Sequence, residues 1–259
     1  MEQLTVVKIG GKVIDSEEQL AKILKDFAQI KGNKILIHGG GTLASEFGRK
    51  LGVEAKMVEG RRITDDQSLD IVTMIYAGLI NKKIVATLQA ENCNALGLSG
   101  ADGNSIQAHK RINHKLDYGF VGDIDKVNDG LIANLLHTGF TPVFSAITHD
   151  HKGQLLNTNA DTIASSIASA MAQRYEVRLL ITFEQNGVLS NPNDSSSVIE
   201  SITQNEFKIL QSTGTISDGM IPKLDNGFAA LNLGVEEVIV TSFSNIVNLK
   251  HPFTQLNLA

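Results

Sequence analysis

The stretch KILIHGGGT, Lys34 to Thr42, constrains the fold more than any other part of the chain. Ile35–Ile37 is an apolar run suited to a buried strand. Three glycines follow at once, and Leu43, Phe47 and Leu51 then recur at helical spacing. The unit reads strand, bare-backbone turn, helix. Such a turn aims backbone N–H groups at one point beside the positive end of a helix, which makes a site for phosphate or carboxylate. Gly10-Gly11 follows a second apolar run, Leu4 to Ile9, interrupted by Lys8. Ligands of open α/β sheets bind beyond the carboxyl ends of the strands. The two turns are therefore expected to face each other and hold a phosphoryl group between them.

The remaining pattern alternates strands with helices, which implies a mainly parallel sheet covered on both faces. Helices are expected from Asp15-Ser16-Glu17-Glu18, to Leu51, from Thr64-Asp65-Asp66-Gln67, and in a further piece to about Glu91. Others are expected over 129–137, from Asn157-Thr158-Asn159-Ala160-Asp161, and around 204–212 and 219–233. Strands are expected at Ala95–Leu98, Thr141–Ile147, Arg178–Phe183 and, last, Glu237–Thr241. Lys56–Arg62 reads as an edge hairpin and Tyr118–Ile124 as exposed β structure. A lobe boundary is placed near Gln173–Glu176.

At 259 residues and 42% hydrophobic content the chain can bury a large core as one α/β domain or two lobes. A net charge of −5 argues against a nucleic-acid binder, which usually shows a basic face. The apolar runs fall short of the roughly 18–20 residues that span a bilayer. MEQLTVVKIGG enters a strand pattern directly, unlike a signal peptide. Cys93 is the sole cysteine, so no disulfide framework arises. A cytoplasmic location is the expectation.

Each candidate site residue has a plain structural reading beside the functional one. Lys8 in an apolar strand needs an anionic partner, because burying a lone ammonium is expensive. That partner is either a structural acid or a bound phosphate. Gly39, Gly41 and Ala44 fit GxGxxA, a dinucleotide fingerprint, with Glu59 where a ribose-binding acid would stand. No Walker A sequence is present. Arg62 suits two-point grip of a carboxylate; a solvated arginine is the alternative, and Arg61 beside it leaves the choice open. Asn157, Asn159 and Asp161 cluster where capping alone needs one of them. In GTISDGMIPK, Lys223 falls in the first turn of a helix, which the helix dipole disfavours unless an anion sits there. The seven histidines show no metal-ligand spacing and read as structural or solvated.

KIGGKVID, HGGGT, EGRRIT, GLSGADGN, GFVGDI, LNTNAD and SDGMIPK, in that order, resemble the motifs of the amino acid kinase family, and of its branch acting on N-acylated glutamate. The resemblance covers almost the whole chain. It implies an α/β fold: an open three-layer αβα sandwich with a mainly parallel central sheet. Residues 1–173 would form an N-terminal lobe for acylglutamate binding and dimerisation, and 174–259 a C-terminal lobe for ATP. The implied reaction moves the γ-phosphoryl of ATP, with Mg²⁺, to the side-chain carboxylate of N-acetyl-L-glutamate, the second step of arginine biosynthesis. N-succinylglutamate, another amino acid kinase substrate, or a non-catalytic nucleotide or metabolite sensor are the alternatives.

By position, the resemblance makes Lys8, Lys223 and Asp161 the catalytic set. Gly40, Gly41, Arg62 and Asn157 would bind substrate, and Gly10 and Gly11 phosphate. Glu184, Gly187, Thr215 and Ser217 would bind ATP, with no protein metal ligand. Partners are small molecules and a second copy of the chain, not nucleic acid or membrane. Two departures stand out. The usual Thr-Asp-Val-x-Gly turn is replaced by Thr182-Phe183-Glu184-Gln185-Asn186-Gly187, and the usual Gly-Thr-x-Ile ending is missing. The chain also lacks the N-terminal helical extension of arginine-inhibited hexameric members, so a homodimer insensitive to millimolar arginine is expected.

Overall fold

The first strand, β1 (Glu2–Ile9), lies in the middle of an eight-stranded sheet. The structure is a computed structural model. It describes all residues except 59, 60, 114, 217, 218, 248 and 251, and all side chains of the others except those of 11, 12 and 61. After β1 come α1 (Gly11–Asp15), α2 (Glu17–Gln29), β2 (Asn33–His38), α3 (Gly41–Lys50), and the hairpin β3 (Lys56–Val58) and β4 (Arg61–Ile63). A helix then runs through α4 (Asp66–Val72), a π-helical segment Thr73–Ile80 and α5 (Asn81–Ala90). Next are β5 (Ala95–Leu98), β6 (Ile106–Lys110), β7 (Gly122–Val127), α6 (Asp129–His137), β8 (Thr141–Ser145), β9 (Ile147–His149), β10 (Leu155–Asn157) and α7 (Ala160–Met171). The chain ends with β11 (Tyr175–Phe183), β12 (Ser201–Thr203), α8 (Gln204–Ser212), α9 (Ile221–Asn232), β13 (Glu237–Ser242) and β14 (Thr254–Asn257).

The large sheet has the order β12-β14-β13-β11-β1-β2-β8-β5, and its neighbours are parallel except β13 and β14. Strand register assigns the two covering layers. Lys8 pairs with Ile37 and Ile181, so these three side chains share a face. That face carries α7, whose Asp161 meets Lys8, and α9, packed so closely that a Cβ on Gly227 would lie 3.6 Å from Ile181. Lys34 and His38 point the other way. Lys34 donates to the Ala28 and Ile30 carbonyls at the end of α2 (2.6 and 2.7 Å), and His38 meets Asn81 of α5. The result is the expected three-layer α/β arrangement, with Leu36, Ile37, Leu179 and Ile239 wholly buried between the layers. The sheet is continuous across residue 173, because β11 pairs with β1.

A second, four-stranded sheet, ordered β10-β9-β6-β7, stands beside the first. It accounts for two expectations that the structure corrects. Thr141–Ile147 is two strands, because the chain leaves the main sheet at Ala146 and enters the small one. Tyr118–Ile124 is not exposed: Tyr118 and Val121 are buried, since Val121 bridges Asn157 and Thr64 is held between Tyr118 and Phe120. Strand β14 is a further correction, as Glu237–Thr241 is not the last. The expected break before residue 81 is absent too, since Asn81 is buried and hydrogen-bonded.

By length and composition alone the helix 66–90 resembles a membrane crossing, with a window mean hydropathy of 1.4. Its buried face places Leu69, Val72, Ile75, Ile80, Ile84 and Leu88 in the core, so it acts here as a core helix.

Candidate active site

Three helices begin at one cavity. α1 starts from Gly10, α3 from Gly40 and α7 from Asn159, and all three residues line a cavity of about 590 Å³ at the carboxyl ends of β1 and β2. Unpaired N–H groups and positive dipole ends therefore converge there, which favours an anionic ligand. Gly39 brings the glycine turn against α7: a Cβ on it would lie 3.8 Å from that of Ala160. Gly40 has φ +155°, and a Cβ there would run into Ile80 and lie 3.1 Å from the Tyr76 ring. Gly40→Ala is expected to destabilise the protein by about 1–3 kcal/mol and to move the turn that lines the cavity. Thermal unfolding of the variant, matching the parent, would contradict this.

Asp161 is the hub. Its Oδ1 lies 2.9 Å from Lys8 Nζ and its Oδ2 accepts a hydrogen bond from Lys223 Nζ at 3.1 Å. Lys8 and Asp161 are each 7% exposed in their side chains, Lys223 21%. The Lys8 contact is an ion pair off the hydrogen-bonding direction, leaving Oδ1 without a hydrogen-bond partner. Burial would raise the Asp161 carboxyl, but the two ammonium groups outweigh it and hold the group below the ordinary carboxylate range. Burial pulls the Lys8 ammonium down; Asp161 pulls it back up, and Lys223 pushes it down again. Two ammoniums on one carboxylate leave one positive charge unmatched.

Both readings of Lys8 are therefore occupied at once: it has a structural acid, and it lines the cavity. Lys223, at the start of α9, has in Asp161 the anion its helix position calls for.

A second, smaller cavity of about 170 Å³ is formed by the chain's C-terminal part. It is walled by Phe183, Val188, Leu189, Pro192, Ile216 and Met220, with Gly187 and Thr215 also on its surface. Met220 lines this cavity and stands just before α9, while Lys223, in the first turn of that helix, lines neither cavity and reaches Asp161 in the wall of the large one. Glu184 follows β11, is exposed and stands outside the wall of either cavity. Ser217 and Glu59 lie outside the described residues. Gly187 packs against Thr254, where a Cβ would lie 2.6 Å from Oγ1, so its smallness is already required by packing.

Arg62 reaches into the large cavity and is tied down by Nη2, which donates to the Gly41 carbonyl (2.9 Å) and to Ser45 Oγ (2.7 Å). Asn157 lines the same cavity and donates to Thr64 Oγ1 at 3.0 Å. Asn159 takes the capping role, accepting from the Asp161 and Thr162 N–H groups. Gly10, Gly40, Gly41, Arg62, Asn157, Lys8 and Asp161 thus come together, with Gly11 at the start of α1.

The site also has members that the sequence reading did not single out. Ser45 supports Arg62, Tyr76 stands behind Gly40 and Gly41, and Arg111 arrives from the small sheet. Only Ser45 had a clue, one helical turn after Gly41.

The sequence matches the amino acid kinase family over residues 3–242. The chain belongs to the amino acid kinase family. It is 52% identical over 245 residues to an acetylglutamate kinase of Bacteroides thetaiotaomicron, covering 95% of each chain. An acetylglutamate kinase of Methanopyrus kandleri is 36% identical over 248 residues, covering 94% of this chain and 97% of that one. Among solved structures, the Streptococcus mutans protein smu.665 superposes with a TM-score of 0.79 at 23% identity, covering 99% of both chains, which speaks to the fold. As an amino acid kinase the chain has a small-molecule substrate and takes its phosphoryl group from ATP.

Proposed function

We propose that this protein is an acetylglutamate kinase. It transfers the γ-phosphoryl of ATP to the side-chain carboxylate of an N-acylated glutamate, N-acetyl-L-glutamate first, releasing ADP and an acyl phosphate in arginine biosynthesis. Relatives of that name, matched along nearly the full chain, support the activity. One geometric observation supports the mechanism: Lys8 and Lys223, from opposite ends of the chain, share the buried carboxylate of Asp161 in the wall of the large cavity.

A carboxylate nucleophile is already ionised at neutral pH, so no general base is needed. One carboxylate oxygen bonds to the γ-phosphorus as the bond to the bridging β–γ oxygen breaks, and the electron pair leaves with ADP. Catalysis then consists of positioning and neutralising charge. In this reading the large cavity holds the acylglutamate and the small one the nucleotide. Lys8 stabilises the migrating group from the acceptor side and Lys223 from the ATP side. Asp161 orients both ammoniums and transfers no proton. Gly10, Gly11, Gly40 and Gly41 present backbone N–H groups, while Arg62 and Asn157 hold the α-carboxylate and its neighbouring polar atoms. Gly187, Thr215 and Ser217 are the proposed ATP contacts. Glu184, exposed beyond β11, takes at most a rim position.

Among the described residues, Asp161 is the carboxylate in the large cavity's wall, and both its oxygens face ammonium groups, a donor set poor for a resident cation. Mg²⁺ is accordingly proposed to arrive on ATP, held by phosphates and water.

The assay is ADP release from ATP and Mg²⁺ with N-acetylglutamate, glutamate or aspartate, trapping the acyl phosphate with hydroxylamine. Turnover of aspartate or glutamate in place of N-acetylglutamate would overturn the reading. Arg62→Lys keeps a charge but loses the planar fork, and is expected to raise KM for N-acetylglutamate by about 10–100-fold with a smaller change in kcat. Equal KM values would remove Arg62 from substrate binding.

The lobes 1–173 and 174–259 are proposed to serve acylglutamate and ATP respectively, in the cytoplasm. A homodimer is proposed through the helix 66–90, whose outward side carries exposed Met74 and Gly78 in an apolar middle stretch. Light scattering should give twice the 27.9 kDa chain mass, and a monomer mass would refute it.

A further inference from the structure

His38 closes β2 immediately before the three glycines, yet it lines neither of the two cavities. Its ring is fully buried on the α5 side of the sheet, away from Lys8 and Asp161. A buried imidazole needs a partner at each nitrogen, and here the partners leave one arrangement. Nδ1 lies 2.9 Å from the Gly39 carbonyl, which can only accept, so Nδ1 carries the proton. Asn81 Nδ2 donates to the Val143 carbonyl at 3.0 Å, which identifies it as the NH₂ end of that amide. The same nitrogen lies 3.1 Å from His38 Nε2, so Nε2 accepts. Asn81 Oδ1 in turn accepts from Lys82 Nζ at 3.1 Å. Gly97, in edge strand β5, leaves room for this: a Cβ there would lie 2.0 Å from Asn81 Oδ1 and 2.8 Å from Lys82 Nζ. A polar chain thus runs through the far layer from the sheet's edge to the glycine turn.

What that chain grips is one peptide bond. In a trans peptide the C=O and the following N–H point in opposite directions. The His38 ring holds the Gly39 carbonyl on its own side of the sheet, so the Gly40 N–H is turned toward the side of Lys8 and Asp161. Among the described residues that N–H has no hydrogen-bond partner, and Gly40 lines the large cavity. Two glycines flank the bond, so their own backbone preferences do little to fix its plane. The imidazole supplies that constraint from outside the cavity.

We propose that His38 is a positioning residue for phosphoryl transfer: its Nδ1–H, held in that tautomer by Asn81, locks the Gly39–Gly40 peptide and keeps the Gly40 N–H aimed at the migrating group. His38 itself touches neither substrate nor nucleotide. This rests on the kinase reading above, in which Gly40 presents its N–H, and adds what keeps that donor aimed. A donor fixed in advance stabilises the transition state more than the bound substrate.

Substitution separates the two ends of the ring. His38→Asn places an amide N–H where Nδ1 stands and abandons Asn81. His38→Gln places an amide oxygen where Nε2 stands, keeping Asn81 an acceptor, and leaves the Nδ1 position without a donor. Tm, and kcat and KM with N-acetylglutamate, are measured for the parent and both variants. His38→Gln is expected to be the more stable variant, yet to lose about 30–100-fold in kcat with KM within about threefold of the parent's. His38→Asn is expected to be the less stable, yet to keep kcat within about fivefold. A role confined to packing would rank activity with stability, so a kcat for His38→Asn at or below that of His38→Gln overturns the proposal. A loss carried by KM overturns it as well. Nitrogen NMR of the histidine-labelled parent decides the point even if neither variant folds: a proton on Nδ1 supports the proposal, and a proton on Nε2 with Nδ1 bare overturns it. An active parent with the wrong ranking removes only the role of His38, whereas a parent that fails to turn over N-acetylglutamate removes the kinase reading and this proposal together.

Discussion

Lys8→Ala and Lys223→Ala are each expected to lower kcat by about 10³-fold, while KM for N-acetylglutamate changes by only about threefold. The asymmetry follows from where the charges stand. In the resting protein both ammoniums are shared with Asp161, so neither is committed to the substrate. The phosphoryl group in flight sits between two anions, the acceptor carboxylate and departing ADP. Positive charge fixed there in advance stabilises the transition state more than the bound substrate. In the proposed reading the acylglutamate is held elsewhere, by Arg62 and Asn157, which line the large cavity.

A folding defect is separable from this loss. Lys8→Met keeps most of the buried stem's volume, and Asp161 keeps Lys223 as a partner. Its Tm should stay closer to the parent's than that of Asp161→Ala, which leaves two ammoniums facing each other without a carboxylate. A kcat near the parent's in either alanine variant, with intact folding, would remove that lysine from phosphoryl transfer.

The parts of this site that are local were legible in the chain. Ile35–Ile37 followed by three glycines can hardly be anything but a strand, a tight turn and a helix start, and that is how β2 and α3 lie. Lys8 inside an apolar run announced a buried charge, though not which acid would meet it. The cluster Asn157–Asp161 split its roles in a way spacing could not reveal: Asn159 caps α7, Asp161 pairs with the lysines, and Asn157 reaches Thr64.

What was illegible depends on contacts distant in sequence. A helix from Thr64 and a further one to about Glu91 were expected as separate pieces, yet they run on through Asn81, which is 1% exposed because His38 and the Val143 carbonyl satisfy its amide. Arg111 sits in an ordinary polar stretch, and only the pairing of β6 with β7 brings it to the cavity. Strand β14 is four residues with mixed polarity, and its pairing with β12 and β13 defines it more than any propensity does.

Acid should weaken the fold through His38, the residue immediately before the three glycines. His38 is fully buried, and burial, with a smaller push from Lys82 against a pull from the Gly39 carbonyl, lowers its pKa from 6.5 to about 4. Its surroundings specify one neutral tautomer: Nδ1–H donates to the Gly39 carbonyl at 2.9 Å, and Nε2 accepts from the Asn81 amide at 3.1 Å. A proton on Nε2 would set two donors against each other and loosen the turn.

The unfolded chain takes up this proton near pH 6.5 and the folded one only near pH 4, so the unfolded state binds more protons in that window. Stability is therefore intact above pH 6.5, declines as the pH falls, and has lost about 3 kcal/mol once it passes pH 4. Asp161 adds its own loss only at lower pH, because its folded pKa lies below the ordinary carboxylate range. Asp15 and Asp225, whose carboxyls are raised by burial, act with the opposite sign. His38→Gln keeps a donor and an acceptor but cannot titrate. It should be less stable than the parent at pH 7, yet its stability should fall less steeply between pH 6.5 and 4, by up to about 1.4 kcal/mol per pH unit. Urea midpoints across that range measure the difference, and parallel curves for the two proteins would show that the proton goes elsewhere.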